Sequence, residues 1–316
     1  MENTNKKHIY IILFLIMIVW GFNVIATKML VTSFLPVTMT AFRIFIAGVS
    51  VFIILFFLKQ IRLPSKKEFQ YIILGGLLGV VGHHYYLSVG LSETTASNGG
   101  LILGLIPLIT TILSIFLLNA KVTLIRFLGI VLGLVGVSII VFNNRGIGGG
   151  ISIGDLHIFL SALFQGASFI VIKKAAKTLD PRLLTGYMLV LGSVFLFILS
   201  LFLEPEGLKS MTTGSVSIWA IFFASAIIAT ALGHMIYNAA VGKVGAAEAS
   251  IFINLNPFFA LIGAAIFLNE VITLTQILGF ILILIGVIFG SGAFEEMLRA
   301  NRRKRENIEM SNSSSV

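Results

Sequence analysis

The chain has 316 residues, 57% hydrophobic and only 11% charged, with a formal net charge of +9 and a mean hydropathy of +1.04. A soluble domain carries roughly 25% charged residues, so this chain cannot cover a water-facing surface with its own polar groups. The cations sit in short loops and not on one soluble face, which excludes a nucleic-acid-binding reading, and the absence of cysteine excludes disulfides and thiolate metal sites.

In chain order, Lys6 and Lys7 lead into an apolar run too long for a signal-peptide core and without a small-x-small cleavage site, so it reads as a retained span. Runs of roughly 20 apolar residues, enough for a ~30 Å hydrocarbon core, then recur along the whole length. The sequence predicts helices over Ile9–Leu30, Pro36–Leu58, Phe69–Leu91, Thr94–Leu118 and Leu124–Phe142. After a Gly-rich linker it predicts Ile153–Lys173, Leu183–Leu203, Ile218–Val241, Ala246–Leu268 and Leu274–Gly292. A transmembrane β-barrel would need short alternating segments instead. The expected organisation is a tail (1–8), five helices (9–142), an extracytoplasmic linker (143–152), five more helices (153–292) and a basic tail (293–316) whose RRKR cluster anchors the last span.

Lys and Arg set the topology. With the N-terminus inside, the inner loops receive Lys59, Arg62, Lys66, Lys67, Lys121, Arg126, Lys173, Lys174, Lys177, Arg182 and Lys243, while the outer loops receive only Arg145 and Lys209. The bias predicts both termini in the cytoplasm and an even number of spans in a cytoplasmic membrane.

The second half repeats the first at a shift of 150. His84 meets His234, Pro107 meets Pro257, Thr123-Leu124 meets Thr273-Leu274, and Gly136-Val137 meets Gly286-Val287. Five helices per half is an odd number, so the halves enter the bilayer from opposite sides. The fold class expected is an all-α polytopic membrane protein of ten transmembrane helices arranged as two inverted five-helix repeats, the layout that alternating access uses.

Few residues in the spans carry chemistry. Pro107 and Pro257 are expected to break their helices, and the freed backbone groups need a protein or wet-cavity partner or a packing kink between helices. Asn254 and Asn256 sit beside the second proline. His84 and His234, with Glu248, are candidates for proton coupling; the plainer reading is neutral imidazoles bonded between helices. Lys28 and Arg43 are charges within spans. Arg43 holds an anionic group, pairs with a carboxylate, or snorkels to the surface. Trp20, Asn23, Tyr86, Gln165 and Tyr237 complete the set of expected cavity residues. No metal-ligand spacing, phosphate loop or hydrolase elbow occurs, so neither cofactor nor metal is expected. The glycine faces Gly75/Gly79, Gly129/Gly133/Gly136 and Gly279/Gly286 read as helix packing within the chain, with a homodimer as the alternative to a monomer.

Trp20-Gly21-Phe22-Asn23 with Lys28, Arg43 in the second helix, the paired prolines and the stretch FLNEVITLTQILGFILILIGV at 267–287 resemble an EamA-type member of the drug/metabolite transporter superfamily. The resemblance implies a ten-helix carrier in the inner or plasma membrane, many of whose relatives export amino acids, other metabolites or drugs. It also implies a central cavity lined by the first, third, fourth, sixth, eighth and ninth helices, with the fifth and tenth outside. The family's Asn-Glu after the ninth helix is present as Asn269-Glu270, while the first half reads Asn119-Ala120-Lys121 and lacks the acid. The expected function is secondary-active transport of a small solute across the lipid bilayer, with export the expected direction and protons a candidate coupling ion. Its rivals are a channel or facilitator and, more remotely, an intramembrane lipid-modifying enzyme.

Overall fold

The computed structural model describes residues 2–118, 123–143, 152–244, 252–290 and 294–295. Asn119-Ala120-Lys121, Arg145, Glu248 and, in the basic tail, residues 296–316 lie outside the described residues. Those described are helical, without strands, and include eight helices long and apolar enough to cross a membrane: α1 (His8–Ser33), α2 (Pro36–Phe57), α3 (Lys66–Glu93), α4 (Ala96–Leu117), α5 (Leu124–Phe142), α6 (Ile153–Ala175), α7 (Pro181–Leu203) and α8 (Val216–Ala240). Two shorter apolar helices follow, α9 (Asn256–Phe267) and α10 (Leu274–Gly290).

Helix starts are written in local sequence or supplied from afar. Ser65 and Glu68 form a reciprocal capping box that opens α3, and Asp180 caps α7 ahead of Pro181. Leu35, preceding α2, has no side chain able to cap, and Glu204 from the end of α7 takes its place. Its carboxylate accepts the N–H groups of Val37 at 2.9 Å and Thr38 at 2.7 Å.

Two of the predicted helices are not continuous. α4 is interrupted at Gly104-Leu105, between the segments Ala96–Leu103 and Ile106–Leu118. In the second half the chain is helical at 252–253, turns at Asn254-Leu255 and resumes as α9. Each break lies just before the proline and not at it. A proline ring collides with the carbonyl four residues back, and four residues before Pro107 and Pro257 stand Leu103 and Ile253, where each preceding segment stops. Each proline therefore sits in the first turn of a new segment, where its missing N–H costs nothing. The same tight bond bridges both gaps: Leu105 N–H to Ile102 O at 3.0 Å and Leu255 N–H to Phe252 O at 2.9 Å.

Packing follows exchange of the halves. α1 packs on α9 as α6 packs on α4, α3 on α6 as α8 on α1, and α2 on α8 as α7 on α3. α2 packs on α7, α4 on α9 and α5 on α10, each pairing a helix with its own counterpart. Burial of apolar surface does not drive association in lipid, so close approach of backbones matters instead. A methyl placed on Gly286 would meet Gly133 N at 2.5 Å and Gly129 O at 2.8 Å, and one on Gly136 would meet Gly279 O at 2.8 Å. The glycine faces of α5 and α10 are thus used on each other. The centre belongs to α4, buried from Ala96 to Ile109.

Candidate functional site

Where α4 and α9 break, they touch: a methyl on Gly104 would lie 2.6 Å from Cγ of Pro257. Beside this junction is a cavity of about 60 Å³ lined chiefly by Trp20, Asn23, His84, Gln165, His234 and Asn256, with Phe169, Thr27 and His83. Its walls come from α1, α3, α4, α6, α8 and the start of α9, the set that the family resemblance implies; among the described residues α5 and α10 contribute none. A smaller cavity of about 20 Å³ lies on the other side of His84, Gln165, Phe169 and His234, and continues to Ser168, Thr185 and Asn238.

The two histidines are delivered by a local irregularity shared by both halves. α3 becomes π-helical over Leu77–Gly82 and α8 over Ser225–Leu232, ending at residues 150 apart. A π-turn bonds five residues back, here His83 N–H to Leu78 O and Gly233 N–H to Ile228 O, and widens the helix at functional places. Immediately after these turns stand His84 and His234, with ring centroids 6.0 Å apart.

Three of the wall residues are held by hydrogen bonds from neighbouring helices or turns. Trp20 donates Nε1–H to Ala229 O in the widened turn at 2.9 Å, and its ring packs on His234 at 4.9 Å and Tyr237 at 5.0 Å. His234 Nδ1 meets Thr230 O at 3.0 Å; a carbonyl only accepts, so Nδ1 carries the proton and Nε2 is left as the acceptor. His83 is tied to Ser161, its Nδ1 lying 2.8 Å from the hydroxyl oxygen. The buried atoms His84 Nδ1, Gln165 Oε1, Asn254 Oδ1 and Asn256 Oδ1 have no hydrogen-bond partner within the described residues. Unpaired buried polar atoms are costly, so the presence of three of these residues, His84, Gln165 and Asn256, on one cavity marks a place built for polar company.

Of the expected cavity residues, Trp20, Asn23, Gln165 and Asn256 line the cavity directly. Tyr237 stands one layer back, 2% exposed, between Trp20 and Phe169. Asn254 is buried within the α9 break. Tyr86 is elsewhere: it stacks on Phe164 at 5.6 Å and approaches His157, and it is not among the cavity's walls. The two cations within spans are held differently, Lys28 half-buried at a helix end and Arg43 in the interior. Lys28 Nζ donates to Leu91 O and Thr94 O, both at 2.7 Å, closing the C-terminal end of α3. Arg43 is fully buried and donates Nη1–H to Ser225 Oγ and Thr230 Oγ1, both at 3.1 Å, while its Nε and Nη2 have no partner. Snorkelling and carboxylate pairing, two of the three readings open for Arg43, are absent among the described residues.

Sequence reasoning passed over Ser225, Thr230, Ser161 and Phe169. Nothing in local patterning distinguishes a serine or threonine that holds an arginine from one bonded to its own helix. Lys28, Glu93, Thr94 and Glu270 line a separate, more open cavity, and behind it Asp155 takes the Thr94 hydroxyl at 2.5 Å and the amide of Asn98 at 3.3 Å.

The model of the EamA-like transporter family matches twice, over residues 7–142 and 152–291. The Bacillus subtilis protein "Uncharacterized transporter YyaM" is 31% identical over 298 residues, covering 90% of this chain and 95% of that one. The Arabidopsis thaliana "WAT1-related protein At3g02690, chloroplastic" is 25% identical over 281 residues, covering 85% of this chain and 66% of that one. A solved crystal structure superposes with a TM-score of 0.66 at 16% identity, over 90% of this chain and 97% of the other, a likeness of fold alone.

Proposed function

Because the chain belongs to the EamA-like transporter family, we propose that it is a secondary-active carrier that moves a small metabolite, amino acid or drug out of the cell by alternating access. One observation carries the reading: a largely apolar cavity carrying amide and imidazole atoms that have no partner among the described residues, set where two broken helices from matched positions of the repeats meet. At about 60 Å³ it is well under the roughly 300 Å³ of an ordinary ligand pocket. Loading therefore requires the bundle to widen around the breaks. Packing that maps onto itself when the halves exchange supports two such openings of similar energy, one toward each side.

The distribution of Lys and Arg supports a cytoplasmic membrane with both termini inside, and glycine faces used between α5 and α10 support a monomer as the working unit. The carrier reading includes no catalytic step and no cofactor. Its test is uptake of labelled amino acids and other small metabolites into proteoliposomes, with and without a pH gradient. Saturable, counterflow-competent flux is expected. Conductance in planar bilayers far above carrier turnover would favour a channel, and no flux with any solute would leave the carrier reading without support.

A further inference from the structure

Arg43 is buried, permanently charged and faces no carboxylate among the described residues. The residues lining the two adjoining cavities include no Asp or Glu either. A lone cation inside a membrane bundle is costly and marks function by default.

Its bonding shows how the charge reaches the cavity. Arginine only donates, so Ser225 Oγ accepts from Nη1 and its own hydroxyl proton goes elsewhere. That proton is given to Asn23 Oδ1 at 2.5 Å. With its oxygen so engaged, Asn23 has its amide nitrogen left to face the cavity it lines. The other arm ends in backbone: Thr230 accepts from Arg43 and passes its proton to Ser225 O at 2.9 Å. Only the Ser225 arm leads to the cavity, and it presents an N–H donor polarised by a fixed cation behind it. Hydrogen bonds of that kind favour an ionised acceptor.

We infer, on the reading that this cavity carries substrate, that Arg43 makes it an anion-accepting site, and that the transported solute bears a carboxylate or comparable anionic group seated on the amide nitrogen of Asn23. Arg43 is then a positioning residue that sets charge selectivity without touching the solute in this conformation. Gln165 Oε1 and Asn256 Oδ1, acceptors without partners on the same cavity, supply sites for donors elsewhere on that molecule.

The chain contains no cysteine, so Val24→Cys or Ile106→Cys places a unique thiol on the cavity wall. In proteoliposomes each thiol is reacted with a sulfonate-bearing, a trimethylammonium-bearing and a neutral methanethiosulfonate, each rate divided by that reagent's rate with a free thiol. The anionic reagent is expected to outpace the cationic one by on the order of ten-fold, with Arg43→Gln bringing the ratio to about one and Arg43→Lys restoring it. A ratio at or below one with Arg43 present overturns the inference even if Arg43→Gln does not fold, as does a ratio that survives Arg43→Gln. Labelling by the neutral reagent with no preference for charge leaves the carrier reading standing. A thiol that no reagent reaches from either side overturns the carrier reading, and this inference with it.

Discussion

Glu270 accepts the backbone N–H of Ala96 at 2.8 Å, so a carboxylate at the end of α9 closes the N-terminus of α4 in the other half of the chain. It takes the N–H of Ser97 as well, at 3.0 Å, and the Ser97 hydroxyl. The preceding Asn269 adopts a left-handed backbone, φ 52°, which ends α9 and turns the acid toward α4. Negative charge at a helix N-terminus satisfies orphan donors and the helix dipole together. Glu270→Gln is expected to cost about 1 kcal/mol and Glu270→Ala about 2 kcal/mol. Thermal unfolding in detergent would show a lower midpoint for both; an unchanged midpoint for Glu270→Ala removes the capping role.

Arg43 makes the opposite prediction. Its guanidinium is buried without a counter-ion among the described residues, so removing it relieves a desolvation penalty even as two hydroxyls lose a donor. Arg43→Met is expected to raise stability by about 1–3 kcal/mol while abolishing transport. A lower unfolding midpoint would identify Arg43 as a structural tie and not a charge kept for use.

The glycine seam between α5 and α10 separates stability from transport. Gly286→Val drives side-chain atoms into Gly133 and Gly129, where only backbone stands and nothing flexible can yield. A loss of about 2–3 kcal/mol follows from overpacking. Neither helix lines the cavity among the described residues, so the folded fraction should keep its KM. A changed KM with normal folding would mean that α5 and α10 take part in binding.

His84 and His234 form the partition between the two cavities. If they pass protons between the two sides, His84→Gln and His234→Gln will each abolish stimulation by a pH gradient yet retain solute counterflow, which needs no net proton movement. Undiminished stimulation in both variants assigns the imidazoles to structure alone.

Much of this architecture was legible because lipid leaves the chain so few options. Runs of about twenty apolar residues mark the spans, and a constant offset of 150 pairs His84 with His234 and Pro107 with Pro257 in the sequence itself. The offset also anticipates what the halves share, including π-turns that neither composition nor periodicity announces. Less legible was which way each side chain points. Tyr86 and His84 are two positions apart, yet one lies against Phe164 and the other in the partition, because two steps along a helix turn a side chain by about 200° and only the packing decides which of the two faces inward. The prolines were read as kinks inside helices; steric conflict with Leu103 and Ile253 moved each break upstream. Arg43's partners were invisible for a simpler reason: Ser225 and Thr230 are 182 and 187 residues away.

Gly104 rests against Pro257, so the two knuckles of the bundle bear on one another. Straightening either segment must push on the other at once, before its far end has travelled. On the alternating-access reading proposed above, that contact would serve as one fulcrum, and a rocker cannot tip both ways at the same time.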